Sequence, residues 1–251
     1  MSTTEHPMTH RHARADCFDE QGFPWFENGE RMDRKMFHER YLRTPEGYKA
    51  ELIGGIVYVM ASPLRIRHGR SDFDLTGWMF LYRASTPGTV GQANTTTILG
   101  DDSEPQPDSA LLIRPDHGGQ TRDGEGEDDY TYGPPELIVE VAVSSRAIDL
   151  NGKYLDYERA GVLEYVVADA RNQAIHWFAR QGNRFVPLEP SEDGLYRSRV
   201  FPGLWLDAEA FFRRDSAALL AALARGLASP EHAAFVAELQ RRKAELGAIN
   251  R

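Results

Sequence analysis

The chain has 251 residues, 41% of them hydrophobic and 10% aromatic, enough for one sizeable buried core with decoration. Its net charge of −9 argues against a sequence-independent nucleic-acid coat, whose affinity comes from neutralising phosphates, but leaves room for a local basic patch. No apolar run reaches the roughly 18 residues of a membrane span, and the single cysteine, Cys17, excludes an intrachain disulfide and a cysteine-rich zinc site. Residues 1–16 contain no apolar h-region, so a cytoplasmic location without a membrane partner is expected.

In chain order, residues 1–32 read as an N-terminal tail. Its residues 1–16 are polar and bear His6, His10 and His12, and an aromatic segment follows at 18–26. Asp33 is placed to cap a helix that runs to about Arg43, with Met36, Phe37, Tyr41 and Leu42 on one side. Residues 48–53 and 56–60 flank Gly54-Gly55, a two-residue hairpin signal. Pro63 makes a break, and a helix is expected over 65–84 with Phe73, Trp78, Met79, Leu81 and Tyr82 as its apolar side.

Residues 90–99 and 108–114 read as strands, and the glycine-rich, acidic stretch 116–132 reads as a flexible excursion. Beyond Pro134-Pro135 comes the strand Leu137 to Val143, then a helix over 149–160 ended by Gly161. Strands are expected over 164–169, 175–180, 184–188 and 195–200. A short helix is expected over 207–212, and one or two more over 217–246 around Pro230. The order of elements predicts an α/β fold with a mixed central sheet flanked by helices. Its domain would cover 33–213, with a C-terminal helical extension at 214–251.

Two carboxylates interrupt apolar strands. Asp108 heads Ser109-Ala110-Leu111-Leu112-Ile113, and Glu140 sits inside Leu137-Ile138-Val139-Glu140-Val141. A lone buried carboxylate is costly, so each needs a partner, and a divalent cation is an effective one. Neighbouring strands lie about 4.8 Å apart, close enough for two such acids to grip one ion. Lys153 follows on the next helix. Read alone, it pairs with Asp149 at i,i+4 on a solvated surface. Glu51, on the first strand of the hairpin, is either a further metal or water ligand or a solvent-facing strand acid. His68 stands among Arg65, Arg67 and Arg70, where it is either a phosphate contact and helper to a metal-bound water or a solvated helix start. Tyr157 reads as packing and Asp169 as a turn cap.

At these residues the chain resembles the PD-(D/E)XK nucleases, and more closely the Uma-type family of proposed bacterial restriction endonucleases. The likeness rests on Ala50 to Gly55, Pro63 to His68, Gln106-Pro107-Asp108, Leu137 to Val141, Asp149 with Lys153, and Gly161 to Asp169. It departs from the family at Gly54, where an acid is usual, at Ala50, where tyrosine is usual, and at Ala142-Val143-Ser144, where leucine, serine and proline are usual. The resemblance implies a restriction-endonuclease-like fold and a Mg²⁺-dependent endonuclease, with Mn²⁺ as a substitute, that hydrolyses DNA by activated water. It implies Asp108, Glu140, Glu51 and the carbonyl of Val141 as metal ligands. Ala142 occupies the usual lysine position, so the resemblance implies that the lysine has migrated to Lys153. DNA is the expected partner; the alanines and leucines of the C-terminal helices read as a packing face, with a docking or homodimer contact as the rival reading. The rival readings are a catalytically inactive nuclease-fold module for binding or assembly, and a hydrolase of small phosphate esters.

Overall fold

The computed structural model describes residues 19, 21–60, 65–126 and 128–249. The polar histidine-bearing segment, Cys17 and the break at Pro63 lie outside the described residues. The chain divides into two compact units: residues 1–62 with 101–104, and residues 63–100 with 105–251.

The smaller unit holds helix α1 (Arg34–Tyr41) and the hairpin β1 (Ala50–Ile53) and β2 (Ile56–Val59). Asp33 caps α1 as its sequence predicts, accepting a hydrogen bond from the Met36 N–H at 2.8 Å. Gly54 and Gly55 take φ of 57° and 75°, the left-handed pair that a tight hairpin turn requires. Phe26, Phe37, Leu52 and Val57 form its core. Residues 101–104 return to it: Leu52 bridges Glu104, and Ser103 Oγ accepts from the Gly54 N–H.

The larger unit is built on a six-stranded mixed sheet. Its strands are β3 (Thr89–Ala93), β5 (Ser109–Ile113), β8 (Leu137–Ala142), β9 (Glu164–Asp169), β10 (Ala174–Gln181) and β11 (Arg184–Pro187), in the order β11-β10-β9-β8-β5-β3. Only β8 and β9 run parallel, and the helix between them is their crossover. Both are fully buried, which is why they read as continuous apolar runs. Alternation along β8 divides the core. Leu137, Val139 and Val141 pack with α2 (Ile66–Ser85), through Leu75, Trp78, Met79 and Tyr82. Ile138 and Ala142 pack on the opposite face with α3 (Tyr154–Ala160), through Tyr157.

Phe73 and Leu81, expected on the apolar side of α2, are 79% and 41% exposed; the buried side is centred on Leu75, Trp78, Met79 and Tyr82 instead. The expected strand over 90–99 is two strands, β3 and β4 (Thr97–Ile98), because Asn94 turns the chain with φ 52° and its N–H is held by the carbonyls of Pro107 and Asp108.

The described part of the stretch, 116–126 and 128–132, carries regular structure where the sequence suggests a flexible excursion. It opens with a 3₁₀ turn over Pro115–His117. Then β6 (Arg122–Asp123) and β7 (Thr131–Tyr132) join β4 in a three-stranded sheet of order β4-β7-β6. Buried Glu136 ties it down by accepting from the N–H groups of Ile113 and Gln120, each at 2.9 Å.

A third small sheet pairs β12 (Leu195–Arg197) with β13 (Trp205–Asp207), followed by α4 (Ala208–Arg213), α5 (Ser216–Leu227) and α6 (Pro230–Ile249). The C-terminal helices are part of the core of this unit: Leu219, Leu223 and Leu239 belong to the cluster that α2 and β8 build. Among the described residues, no helix is long and apolar enough to cross a membrane.

Candidate active site

The antiparallel register of β5 and β8 pairs Ser109 with Val139 and Ala110 with Ile138. Continued by one residue, it sets Asp108 directly across from Glu140, and cross-strand partners share one face of a sheet. The bonds agree. Asp108 Oδ2 accepts from the Val141 N–H at 2.7 Å, while Glu140 Oε2 takes a long bond, 3.4 Å, from the Asp108 N–H. Each acid thus reaches across to the other's strand.

Glu140 is buried, and its charge is met by a buried lysine. Lys153 Nζ donates to Glu140 Oε1 at 2.9 Å. Tyr157 Oη donates to the same oxygen, also at 2.9 Å. Lys153 and Tyr157 are four residues apart, so helical geometry places them on one face. That face is turned inward by a π-helical stretch over Ile148–Lys153 leading into α3. A π turn inserts one residue into the helical repeat, a device frequent at functional sites. Asp149 is buried too and accepts from Ser145 Oγ at 2.6 Å. Asp149 and Lys153 are both buried, so neither lies on a solvated surface.

From the other layer, the first turn of α2 brings His68. Its Nε2 lies 3.3 Å from Asp108 Oδ2. The hydrogen bond to Asp108 pushes the imidazole above its usual range, against the opposing effect of burial. Burial would raise the Asp108 carboxyl, but the bond and charge of His68, with the Val141 N–H, outweigh it and hold that carboxyl below its usual range. His68 Nδ1 is buried with no hydrogen-bond partner among the described residues.

The larger unit therefore brings together Asp108, Glu140, Val141, Lys153 and His68. Glu51 lies in the smaller unit, on β1 in register with Tyr58, and is buried where a solvent-facing strand acid would be exposed. Tyr157, which reads as packing in the sequence, is a polar member of the cluster; its spacing from Lys153 is the signal that could have found it. Asp169 does cap a turn, accepting from the N–H groups of Arg171 and Asn172 and from Arg146 Nε.

Two carboxylates, Asp108 just before β5 and Glu140 within the adjacent β8, form a hard-oxygen donor set. Magnesium takes one or two carboxylates and completes its shell with water and phosphate, so these residues fit it. Among the described residues no group of three or more His, Cys, Asp or Glu side chains forms a fuller metal cage.

Residues 36–209 match the family model Uma2, described as "Putative restriction endonuclease". The chain belongs to this family. The larger part of the fold also has a solved counterpart, "a putative nuclease belonging to DUF820" from Anabaena variabilis ATCC 29413. The two align with a TM-score of 0.54 at 15% identity, over 70% of this chain and 96% of that one. At that identity the likeness is one of fold, a mixed sheet flanked by helices. No curated protein matches the chain.

Proposed function

We propose that this Uma2 member is a divalent-metal-dependent endonuclease that hydrolyses DNA phosphodiester bonds. The observation that carries the reading is the convergence of Asp108, Glu140 and Lys153 at one point of the sheet, from three separate stretches of sequence. Asp108 and Glu140, with the carbonyl of Val141, would hold the cation, Mg²⁺ or Mn²⁺. A cation bound there supplies positive charge to the phosphate and lowers the pKa of water.

The chain's own groups do the rest. The Nζ of Lys153, aimed by its bond to Glu140, orients the attacking water and stabilises charge on the phosphoryl oxygens. Tyr157 fixes the Glu140 carboxylate, so the lysine and the metal-facing oxygen keep their positions. His68 braces Asp108 from the opposite layer. Arg65 and Arg67, exposed on the turn that carries His68, give a net-acidic protein a local cationic edge for the DNA backbone.

The test is nicking of supercoiled plasmid by purified protein with Mg²⁺ or Mn²⁺ against EDTA, with Lys153→Ala as control. The proposal expects metal-dependent nicking that the substitution suppresses. The absence of nicking together with the absence of calorimetric Mg²⁺ binding would instead leave a nuclease-fold binding or assembly module.

A further inference from the structure

Arg146 stands in the loop that leaves β8 just beyond Glu140 and Val141 and enters the π-helical stretch that delivers Lys153. Its backbone is pinned on both sides. The Ser145 carbonyl accepts from the Ile148 and Asp149 N–H groups at 2.7 and 3.0 Å, and the Ala147 carbonyl accepts from Asn151 Nδ2 at 2.8 Å. The side chain is pinned too, with Nε donating to Asp169 Oδ2 at 2.7 Å. Asp169 is the last residue of β9, and the parallel register of β8 with β9 sets it beside Ala142. Ala142 lies two residues beyond Glu140 on the same face of β8. One strand across and two residues along, Asp169 is therefore about 8 Å from Glu140, backbone to backbone.

Asp169 has donors enough without this arginine. Oδ1 accepts from the N–H groups of Arg171 and Asn172 at 3.2 and 2.9 Å, and Oδ2 accepts from Asn172 Nδ2 at 2.7 Å. Nor is the contact the two-pronged one by which arginine commonly grips a carboxylate. A guanidinium carries N–H donors on three nitrogens in a planar fork, and here Nε alone is engaged. The two Nη groups have no partner among the described residues. The Arg146 side chain is 51% exposed, while that of Asp169 is 1% exposed. The carboxylate thus holds the fork at its base and leaves the outer edge open to solvent. That edge is the one that matches the paired oxygens of a phosphate.

We propose that Arg146 binds a backbone phosphate of the DNA strand, the one adjoining the phosphate that Asp108, Glu140 and Lys153 address. Like the proposed hydrolysis, this contact rests on the site's taking DNA. The short step from Glu140 to Asp169 across the sheet is comparable with the step between successive phosphates of one strand. A phosphate contact carries no base information, so Arg146 fixes the register of the strand on the site without selecting a sequence. Asp169 is its positioning residue. In a chain of net charge −9, a guanidinium held by one bond and otherwise open supplies the local cationic character that a phosphate requires.

Fluorescence anisotropy of a short labelled duplex, titrated with the full chain at a series of KCl concentrations in EDTA, reads the contact without cutting. Loss of one phosphate contact lowers the steepness of log binding constant against log [KCl] by about 1 and weakens binding alike on unrelated sequences. Arg146→Gln is expected to do both on two duplexes of unrelated sequence. Its amide can still donate to Asp169, so the melting temperature should stay near that of wild type. Arg146→Lys restores the charge and is expected to recover the slope. Arg241→Gln removes the same charge from α6 and is expected to leave the slope unchanged. No DNA binding by wild type, an unchanged slope in Arg146→Gln, or an equal loss in Arg241→Gln would each overturn the proposal. The nuclease reading fails separately. Metal-dependent nicking with an unchanged Arg146→Gln slope removes this contact alone, and a lowered slope without nicking removes the catalysis and keeps the contact.

Discussion

Lys153 and Glu140, 13 residues apart in the chain, meet as an ion pair in the interior, with Nζ 2.9 Å from Oε1. Removing one member leaves the other buried and uncompensated, which costs about 3–5 kcal/mol, whereas replacing both with neutral groups of similar volume costs far less. Lys153→Met alone is therefore expected to destabilise the fold by about that amount in urea denaturation. The double variant Glu140→Gln/Lys153→Met is expected to recover most of the loss. Additive losses would show that the pair is not coupled as its geometry implies.

Tyr157 is separable from that pair. Tyr157→Phe keeps the ring against Tyr165 and removes the hydroxyl that donates to Glu140 Oε1. A single such bond contributes about 0.5–1.5 kcal/mol, so the fold should persist with a slightly lower melting temperature. The proposed role in aiming Glu140 predicts a clear loss of nicking rate and weaker Mg²⁺ binding by calorimetry. Wild-type values for both would reduce Tyr157 to packing.

Glu164 offers a pH test away from the candidate site. It is fully buried and accepts from Ser198 Oγ and the Arg199 N–H, each at 2.6 Å. Burial pushes its carboxyl up despite those bonds. A raised acid binds a proton in the folded state at pH values where the unfolded chain has released it. The stability it contributes is present below its ordinary pKa of 4.5 and is lost as pH rises through the folded value. The melting temperature of Glu164→Gln relative to wild type should therefore increase as pH rises from 4.5 toward neutral. A difference independent of pH would contradict this.

Gly226 tests packing between the turn before β13 and α5. In an open helix, glycine to alanine gains about 1 kcal/mol. Here a Cβ on Gly226 would stand 2.1 Å from the carbonyl oxygen of Gly203. Overpacking of this kind costs about 1–3 kcal/mol, so the sign reverses and Gly226→Ala is expected to destabilise. Chemical denaturation measures it, and a gain in stability would show that the two segments can separate freely.

The candidate acids are legible in the sequence because a charge inside an apolar strand stands out, and Asp108 and Glu140 do so in adjacent strands of the sheet. Their direct opposition is not legible, since it depends on the register of β5 on β8. Lys153 is recognisable only through the family resemblance; by spacing alone it suggests a surface partner for Asp149. What overrides that reading is the π turn over Ile148–Lys153, which has no clear periodic signature. Tyr157 looks like core because an aromatic at helical spacing usually is, and its ring is indeed buried while its hydroxyl serves Glu140. The stretch 116–132 looks like loop because its glycines and acids dominate the composition, while β6 and β7 are too short to show alternation and depend on Glu136 and on the distant β4. Phe73 and Leu81 read in the sequence as part of the buried side of α2, because an amphipathic pattern does not distinguish a core face from a second apolar face.

The measurement closest to the central claim is the Mg²⁺-dependent nicking rate of Asp108→Asn against wild type, with both proteins shown to be folded by thermal melting. The substitution keeps the side-chain volume and one hydrogen-bonding oxygen for the Val141 N–H, and removes the charge together with one acceptor oxygen. Loss of one transition-state electrostatic contact typically costs about 10²–10³ in rate. A fall of that size or greater, with the fold intact, is the predicted result. Nicking at the wild-type rate would contradict the assignment of Asp108, and with it the nuclease centre proposed for this chain.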